Sequence, residues 1–593
     1  MRVIDNIIQN VVKAIEALYS QELSIQQIQI QKTKKEFEGD LTLVVFPLLK
    51  VTKKSPEQSA EEIGKWLLGN SDIANSYNVV KGFLNLSIKD EIWLDQFNIW
   101  VRDENFGKST SSTGKTFMVE YSSPNTNKPL HLGHLRNNFL GYSVAEILKA
   151  NGHEVYKTQI INDRGIHICK SMLAWQLFGN NETPESTGMK GDHLIGKYYV
   201  AFDKEYKKQI AALVDAGMDS KDAEREAEIF KDAQAMLLKW EARDPDVYAL
   251  WETMNAWVYA GFETTYKEMG VDFDKLYYES NTYILGKDVV EKGLADKNFY
   301  KKEDGSVWCD LSDHKMDDKL LLRADGTSVY MTQDLGTAIE RYKDYPNLSG
   351  LIYTVGNEQN HHFKVLFTIL NKIGYSWAEG CYHLSYGMVD LPTGRMKSRE
   401  GTVVDADVLM KSVIEDAKQM TQERGHLDGL SDSVKDELYK TIGLGGLKYY
   451  LLKVDPKKGM QFNPEESVDL NGNTGPFIQY TYARIQSILR KVETFHKGSE
   501  TDLLLEPAEK TLLKDLSEFP SVIEEAGKNY SPALLANYTY ELVKNYNSFY
   551  QSLSIIKEED ANKKAFRIAI SYKVGAVIKL SMKLLGVDVP ERM

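Results

Sequence analysis

The apolar segment Thr116-Phe-Met-Val-Glu-Tyr121 leads into a loop and helix start with the sequence Ser123-Pro-Asn-Thr-Asn-Lys-Pro-Leu-His-Leu-Gly-His-Leu-Arg136. Helical periodicity continues to residue 150, where Asn-Gly at 151–152 ends it, and residues 154–161 again have the pattern of a strand. Two strands joined by a helix form a β-α-β unit, whose strands pair in parallel. The sequence therefore predicts a parallel sheet with the loop and the helix N-terminus at its carboxyl edge.

The remaining segments divide the chain into four predicted parts. Residues 1–108 are expected to form a small α/β module, with helices at 4–18 and 56–68, and the polar stretch 105–114 is expected to link it to the next part. Residues 115–404 continue as α/β, with strands at 307–310, 328–332 and 350–355 and a charged helical insertion at about 196–245. Helical period then dominates, which predicts a connector at 405–470 and an all-α bundle at 471–593.

Composition limits the class of protein. The 593 residues include 72 Lys and Arg against 85 Asp and Glu, a net charge of −13, and contain no run of 18 apolar residues. A large globular protein without a membrane span is expected, and because the N-terminal stretch lacks the blocks of a secretory signal, the expected compartment is the cytoplasm. Cys169, Cys309 and Cys381 are far apart, so neither a disulfide framework nor a structural metal is expected. On charge alone, nucleic acid is a poor partner for this chain.

The loop after the first strand carries the chemistry. His131 and His134 are three residues apart on the first helical turn, where the helix dipole favours an anion. Gly133 lies between them and leaves room for a flat ring against the backbone, and Lys128 is close enough in sequence to reach the same phosphates. The loop contains neither G-x-G-x-x-G nor a Walker A motif, which excludes the common dinucleotide and P-loop sites. Together these residues predict an ATP site.

The same stretch resembles the "HIGH" signature of class I aminoacyl-tRNA synthetases, and its longer form resembles the arginyl branch of that family. Three further motifs and the C-terminus support the same branch, so the likeness covers essentially the whole chain. The segments are Ile161-Asn-Asp-Arg164-Gly, in which Arg164 replaces the family's usual Trp, Ser328-Val-Tyr330-Met-Thr-Gln-Asp334, Gly475-Pro-Phe-Ile-Gln479-Tyr480-Thr-Tyr-Ala-Arg484 and Val589-Pro-Glu-Arg-Met593.

The resemblance implies a fold and an activity. The fold is an α/β, Rossmann-type class I catalytic domain with a parallel sheet, a small α/β N-terminal add-on domain that touches the outer corner of tRNA, and an all-α C-terminal bundle that binds the anticodon. The activity is that of an arginine–tRNA ligase: L-arginine reacts with ATP, bound with Mg²⁺, to give arginyl-adenylate, and arginine then passes to the terminal ribose of tRNA(Arg). The family further implies a cytoplasmic monomer without membrane contact and a first step that needs bound tRNA.

Class I synthetases also grip the triphosphate with a lysine-rich K-M-S-K-S loop, to which residues 394–401 correspond with the different sequence Gly-Arg-Met-Lys-Ser-Arg-Glu-Gly. Depending on the alignment, the family's second lysine falls on Ser398 or on Lys397, and many arginyl enzymes carry a lysine just before the HIGH motif instead. Lys128 has that position and is the expected main phosphate contact, with Lys397 as the alternative. The expected ATP contacts are Lys128, His131, Gly133, His134, Arg395, Met396, Lys397, Ser398 and Arg399, of which Lys128, His131, His134 and Lys397 are the catalytic set.

A pocket for free arginine needs carboxylates, because the guanidinium is planar and permanently charged. Glu120, Glu279 and Asp334 are acids at positions that match the arginyl motifs. The resemblance adds further contacts of the amino acid at Asn125, Tyr330 and Gln359.

The C-terminal bundle offers candidate contacts for tRNA. Basic residues can bind phosphates, and aromatic residues can stack on unpaired bases. The expected contacts are Gln479, Tyr480, Arg484, Arg490 and Lys491, with Tyr482, Phe495 and Lys497 on the same stretch.

Two other functions remain open on the residues alone. A small-molecule nucleotidyltransferase shares the H-x-G-H helix start, but the long helical C-terminus would then have no role. A catalytically silent tRNA-binding relative is compatible with the altered loop at 395–399, whereas His131, His134 and Lys128 argue for an active enzyme. A cationic substrate explains part of the acidic excess, so the net charge does not exclude tRNA.

Overall fold

The computed structural model describes residues 3–34, 36–392, 404–424, 429–492, 498 and 502–593. These residues form a small N-terminal domain, a central domain built on a parallel sheet, and a helical C-terminal region, which confirms the predicted fold class. The exact domain boundaries stay predictions. Within the described ranges, no helix combines the length and the apolar character that a bilayer crossing requires.

The N-terminal domain packs helices on a four-stranded antiparallel sheet. Its elements are α1 (Val3–Tyr19), β1 (Gln29–Lys32), β2 (Leu41–Val44), α2 (Leu49–Thr52), α3 (Pro56–Asn70), β3 (Ala74–Val80), β4 (Phe83–Ile88) and α4 (Asp90–Arg102), with strand order β1-β2-β4-β3. Several ion pairs connect this domain to the C-terminal helices. Among them, Lys32 lies 2.5 Å from Asp515 and Lys514 lies 3.1 Å from Asp40.

The central domain confirms the predicted β-α-β unit. Its strands are β5 (Thr116–Glu120), β6 (Glu154–Ile161), β7 (Lys275–Tyr278), β8 (Tyr300–Lys301), β9 (Val307–Cys309), β10 (Lys319–Leu322), β11 (Leu348–Gly356), β12 (Cys381–Tyr386) and β13 (Val389–Asp390). Five of them pair in parallel in the order β12-β11-β5-β6-β7, and helix α5 (Leu132–Ala150) joins β5 to β6. Chain order reverses between β11 and β5, and the crevice at the carboxyl ends of such strands is the usual ligand site of open α/β sheets.

The helical insertion between β6 and β7 is longer than the predicted stretch 196–245. It contains α6 (Ile166–Phe178), α7 (Pro184–Thr187), α8 (Gly191–Asp215), α9 (Ser220–Glu226), α10 (Glu228–Glu241) and α11 (Pro245–Met269). Buried aromatic residues pack its helices together, as where the rings of Trp240 and Trp251 lie 5.5 Å apart. The flanking helices are apolar on their buried faces, so charge alone did not reveal them.

The strand predicted at 328–332 is wrong, because residue 330 begins a helix. After α12 (Glu279–Thr282) and α13 (Leu285–Ala295), helix α14 (Tyr330–Asp344) packs closely on α13: a Cβ added at Gly286 would lie 2.0 Å from the carbonyl oxygen of Thr332. This close packing overrides the β propensity of the Val, Tyr and Thr side chains. Helix α15 (Asn360–Lys372) then joins β11 to β12.

The C-terminal region is helical, as predicted. It contains α16 (Ala406–Arg424), α17 (Asp432–Leu452), the short strand β14 (Met460–Gln461), α18 (Pro464–Val468), α19 (Gly475–Leu489), α20 (Pro507–Lys528), α21 (Pro532–Ser552) and α22 (Ala561–Leu584). Arg136 of α5 is buried and donates hydrogen bonds to the carbonyl oxygens of Gly387, at 2.6 Å, and Lys458, at 2.9 Å. The helix that begins within the H-x-G-H sequence is thereby fixed both to the segment between β12 and β13 and to the segment between α17 and α18.

Candidate active site

The imidazole of His131 caps helix α5. Its Nδ1 accepts the backbone N–H of Gly133 at 3.1 Å, and the backbone N–H of His131 donates to Nδ1 of His134, also at 3.1 Å. The two ring centroids are 4.0 Å apart. Because each Nδ1 accepts a hydrogen bond, each neutral ring carries its proton on Nε2, which can donate to a phosphate oxygen.

Both imidazoles are neutral at pH 7. Burial, together with the charge of Lys128, lowers the pKa of His131 to about 4, and Asp405 opposes this shift. Burial and the neighbouring His131 and Lys128 hold the pKa of His134 well below its ordinary value. The two rings therefore offer hydrogen-bond donors, while Lys128 supplies positive charge beside them.

A cleft of about 570 Å³ lies between this loop and helix α8, and Lys128 and His131 are among its lining residues. The His131 ring lies close to Gly133: an added Cβ would be 3.0 Å from Cε1 of that ring, so a larger residue would require the ring to shift. The predicted ATP contacts Arg395, Met396, Lys397, Ser398 and Arg399 lie outside the described residues. The choice between Lys128 and Lys397 therefore stays a prediction.

Most of the predicted arginine contacts lie at the carboxyl edge of the central sheet. Glu120 ends β5, Glu279 directly follows β7, and Gln359 follows β11. Asn125 pairs with Asn162, the residue after β6. The sequence motifs are far apart along the chain, and the parallel sheet brings these residues to one edge.

Asp334 and Tyr330 lie on the first turns of α14. Oδ2 of Asp334 is hydrogen-bonded to Nε2 of His362 at 2.6 Å, while Tyr330 is 76% exposed. The sequence did not single out His362 as a partner of Asp334, because the two residues meet only through the packing of α14 beside α15. Asp334 is thus held in a fixed orientation by a neighbouring helix.

The carboxyl of Glu279 has an altered acidity. Burial raises the pKa of its carboxyl to about 7; the guanidinium of Arg164 opposes this shift, and the carboxylates of Asp163 and Asp334 add to it. A carboxyl that is half ionised near neutral pH is a typical property of functional sites. A bound guanidinium would favour the ionised form, which is the form an arginine pocket requires.

Glu120 already has protein partners. Its Oε2 pairs with the guanidinium of Arg341, which is only 1% exposed, and its Oε1 accepts a hydrogen bond from Ser123 at 3.2 Å. The rings of Tyr277 and Tyr353 lie 5.2 and 5.5 Å from the guanidinium carbon. Sequence reasoning missed Arg341, since nothing in its local pattern marks it. The arginine-binding role of Glu120 stays a prediction, and in this structure one oxygen of its carboxylate is already paired with Arg341.

The Asn162-Asp163-Arg164 element joins the sheet to the insertion. The buried carboxylate of Asp163 accepts hydrogen bonds from the backbone and hydroxyl of Ser280, at 2.8 and 2.7 Å, and from Tyr259 of α11 at 2.9 Å. Arg164 pairs with Glu241 at 3.0 Å, and its guanidinium carbon lies 4.0 Å from the centroid of Tyr283. The side chain of Arg164 is therefore held in place by the carboxylate of Glu241 and the ring of Tyr283.

On the C-terminal bundle, the predicted tRNA contact at Gln479 is wrong. This residue is 0% exposed and donates hydrogen bonds to the carbonyl oxygens of Thr441, at 2.9 Å, and Asp588, at 2.7 Å. It packs α19 against its neighbours and cannot reach a bound RNA. Tyr482 is likewise buried, and Phe495 and Lys497 lie outside the described residues.

The other predicted tRNA contacts lie at the surface or near it. Tyr480 is 37% exposed, and the guanidinium carbon of Arg484 lies 4.9 Å from its ring and 5.0 Å from that of Tyr550. Arg490 and Lys491 follow the end of α19 and are exposed. Aromatic and cationic side chains are thus combined on one face, as in surfaces that bind unpaired bases.

The parallel sheet, the paired histidines at its edge and the helical C-terminus together define a class I aminoacyl-tRNA synthetase. Three family descriptions match successive parts of the chain: "Arginyl tRNA synthetase N terminal domain" at residues 5–88, "tRNA synthetases class I (R), catalytic domain" at 97–463, and "DALR anticodon binding domain" at 478–593. The chain belongs to the arginyl-tRNA synthetase family.

Full-length relatives support this assignment. A protein of Bacteroides thetaiotaomicron named arginine–tRNA ligase is 56% identical, with 100% of both chains covered, and one of Flavobacterium psychrophilum with the same name is 58% identical, with 96% of this chain and 97% of the relative covered. The solved structure of Thermus thermophilus arginyl-tRNA synthetase has the same fold, with a TM-score of 0.80 at 23% identity over 99% of this chain and 100% of the other.

Proposed function

We propose that this chain is an arginine–tRNA ligase, which activates L-arginine with ATP and transfers it to the terminal ribose of tRNA(Arg). The observation that carries the proposal is the arrangement at the carboxyl edge of the sheet, where acidic residues suited to a guanidinium lie near a loop suited to a triphosphate. The full-length relatives that bear the name arginine–tRNA ligase add support.

In the first step, the carboxylate of arginine attacks the α-phosphorus of ATP, and pyrophosphate leaves with Mg²⁺ as part of the substrate complex. No general base is needed, because the attacking carboxylate is already ionised. His131 and His134 donate from Nε2 to phosphate oxygens, and Lys128 stabilises the growing negative charge. Glu279 and Asp334 hold the guanidinium, so that the two substrates meet in the correct orientation.

In the second step, a hydroxyl of the terminal ribose of tRNA attacks the carbonyl of the adenylate, and AMP leaves. In class I enzymes this hydroxyl is the 2′-OH. We propose that Tyr480, Arg484, Arg490 and Lys491 contact the anticodon region, that the N-terminal domain contacts the outer corner of tRNA, and that bound tRNA is needed for the first step. The exposure of Tyr480, Arg490 and Lys491 and the partial exposure of Arg484 support the anticodon contact.

Arginine-dependent exchange between ATP and pyrophosphate, measured with and without tRNA, tests the proposal. The expected result is exchange with arginine and tRNA together, followed by charging of tRNA(Arg). Exchange with a different amino acid would refute the arginine specificity. Binding of tRNA without exchange or charging would identify a catalytically silent tRNA-binding relative, and adenylylation of another small molecule would identify a nucleotidyltransferase.

We further propose that the enzyme acts as a cytoplasmic monomer. Cys169, Cys309 and Cys381 are free thiols, as is usual in a reducing compartment. Light scattering of the purified protein, with and without tRNA, measures its mass in solution. A stable dimer would refute the monomer.

A further inference from the structure

A cluster of charged side chains joins the insertion to the candidate ATP site. Lys190 and His193 lie at the beginning of α8, and Asp405 and Asp407 lie around the beginning of α16. Nε2 of His193 is 3.1 Å from Asp405 Oδ2 and 3.2 Å from Asp407 Oδ2. Lys190 also pairs with Asp407. Residues more than two hundred positions apart in the sequence are thus held together by charge.

Each carboxylate has a second anchor. Oδ1 of Asp405 caps α16 by accepting the backbone N–H groups of Asp407, at 2.8 Å, and Val408, at 3.1 Å. Oδ1 of Asp407 accepts the hydroxyl of Thr265 of α11 at 3.0 Å. The side chains at the beginning of α16 are therefore fixed both by their own helix and by two helices of the insertion.

The backbone beside these carboxylates is bonded to the signature loop. The N–H of Ala406 donates to the carbonyl of Leu130 at 2.9 Å, and the N–H of Leu132 donates to the carbonyl of Val404 at 3.2 Å. His131 and Asp405 are opposite each other in this short antiparallel pairing. The position of His131 therefore depends on residues 404–406, and these depend on the side chains that hold Asp405 and Asp407.

The cluster is an ion-pair network. The adjacent carboxylates of Asp405 and Asp407 raise the pKa of His193 to about 9, so that the ring is a cation at neutral pH. His193, Asp405 and Asp407 have ligand atoms close enough for a metal ion. However, a protonated imidazole cannot be a ligand, and Lys190 already neutralises Asp407. Two cations thus face Asp405, Asp407 and the adjacent buried Asp192.

We propose that Lys190 and His193 are positioning residues of the ATP site, which hold His131 in place through Asp405 and Asp407. The inference rests on the proposed arginine activation. According to this inference, ATP binding depends on the beginning of α8, although neither Lys190 nor His193 belongs to the H-x-G-H loop or to the predicted phosphate contacts.

Comparison of His193→Leu with His193→Gln tests the inference. The assay is the exchange between ATP and pyrophosphate in the presence of arginine and tRNA. The leucine removes both interactions with the carboxylates, whereas the amide of glutamine keeps one N–H donor. Because both carboxylates lose a cationic partner, the KM for ATP should be about tenfold higher in His193→Leu, with the KM for arginine within about twofold of wild type. His193→Gln should recover most of this loss. Lys208→Met is the matched control, because Lys208 is exposed on the same helix and pairs with Glu205 at 3.2 Å.

An unchanged KM for ATP in His193→Leu, or an equal rise in both KM values, overturns the inference. Should His193→Leu not fold, Asp407→Asn serves instead, because it removes the charge and keeps the side-chain volume; a normal KM for ATP in that variant also overturns it. A wild-type protein without arginine-dependent exchange would refute the proposed function, whereas an active wild type with unaffected variants refutes the positioning role alone.

Discussion

The affinity for arginine should depend on the ionisation of Glu279. The pKa of this carboxyl is raised to about 7, and arginine needs the ionised form, so binding should become tighter as the pH rises through 7. With that pKa, the ionised fraction increases from about 9% at pH 6 to about 91% at pH 8, which predicts a KM for arginine about tenfold lower at pH 8. Replacing the charged partner of a guanidinium with a neutral amide should also raise the KM at pH 8.

The measurement is the KM for arginine in the tRNA-dependent exchange between ATP and pyrophosphate. It is made for wild type and for Glu279→Gln, at half-unit steps from pH 6 to pH 8. ATP and groups remote from Glu279 titrate in the same way in both proteins, so the ratio of the two KM values reports on Glu279 and its immediate neighbours. The ratio should change about tenfold across this range. A constant ratio would refute the reasoning, and an equal KM in both proteins at pH 8 would remove Glu279 from the arginine pocket.

Three further predictions concern the phosphate contact, the buried ion pair and tRNA. Lys128→Ala should lower the rate of adenylation by about two to three orders of magnitude, more than Lys397→Ala does, because it removes the cation beside the paired histidines; the opposite ranking in exchange assays would move the main phosphate contact to Lys397. Arg341→Met should lower stability by about 3–5 kcal/mol, because Glu120 is left buried without its partner; thermal unfolding measures the loss, and an unchanged midpoint would contradict the pairing. Arg490→Ala should reduce the slope of log Kd for tRNA against log salt by about 1, and an unaltered slope would exclude a phosphate contact at this residue.

Local pattern was sufficient for much of the fold. The β-α-β unit at 116–161 and most C-terminal helices were predictable because apolar spacing and helix ends are encoded within a few residues. The strand expected at 328–332 was wrong for the opposite reason: Gly286, far away in sequence, provides the space in which Thr332 packs as part of a helix. Propensity cannot include a neighbour that only the folded chain brings into contact.

The candidate site was predictable to a similar extent. The H-x-G-H loop predicted an ATP site from its own residues, but the neutral state of His131 and His134 follows from burial, which the sequence does not display. Gln479 looked equivalent to Tyr480 as an RNA contact, and only the packing of α19 separates the buried residue from the exposed one.

The sequence by itself determined the parallel sheet, the family and the loop on which the chemistry depends, because each is encoded in short motifs with fixed spacing. The tertiary structure alone decided which charges meet. Arg341 neutralises Glu120, Asp334 meets His362, and His193 is held between Asp405 and Asp407, all through contacts between distant segments. Electrostatic interactions depend on distance and burial in space, and neither quantity can be read from the separation of residues along the chain.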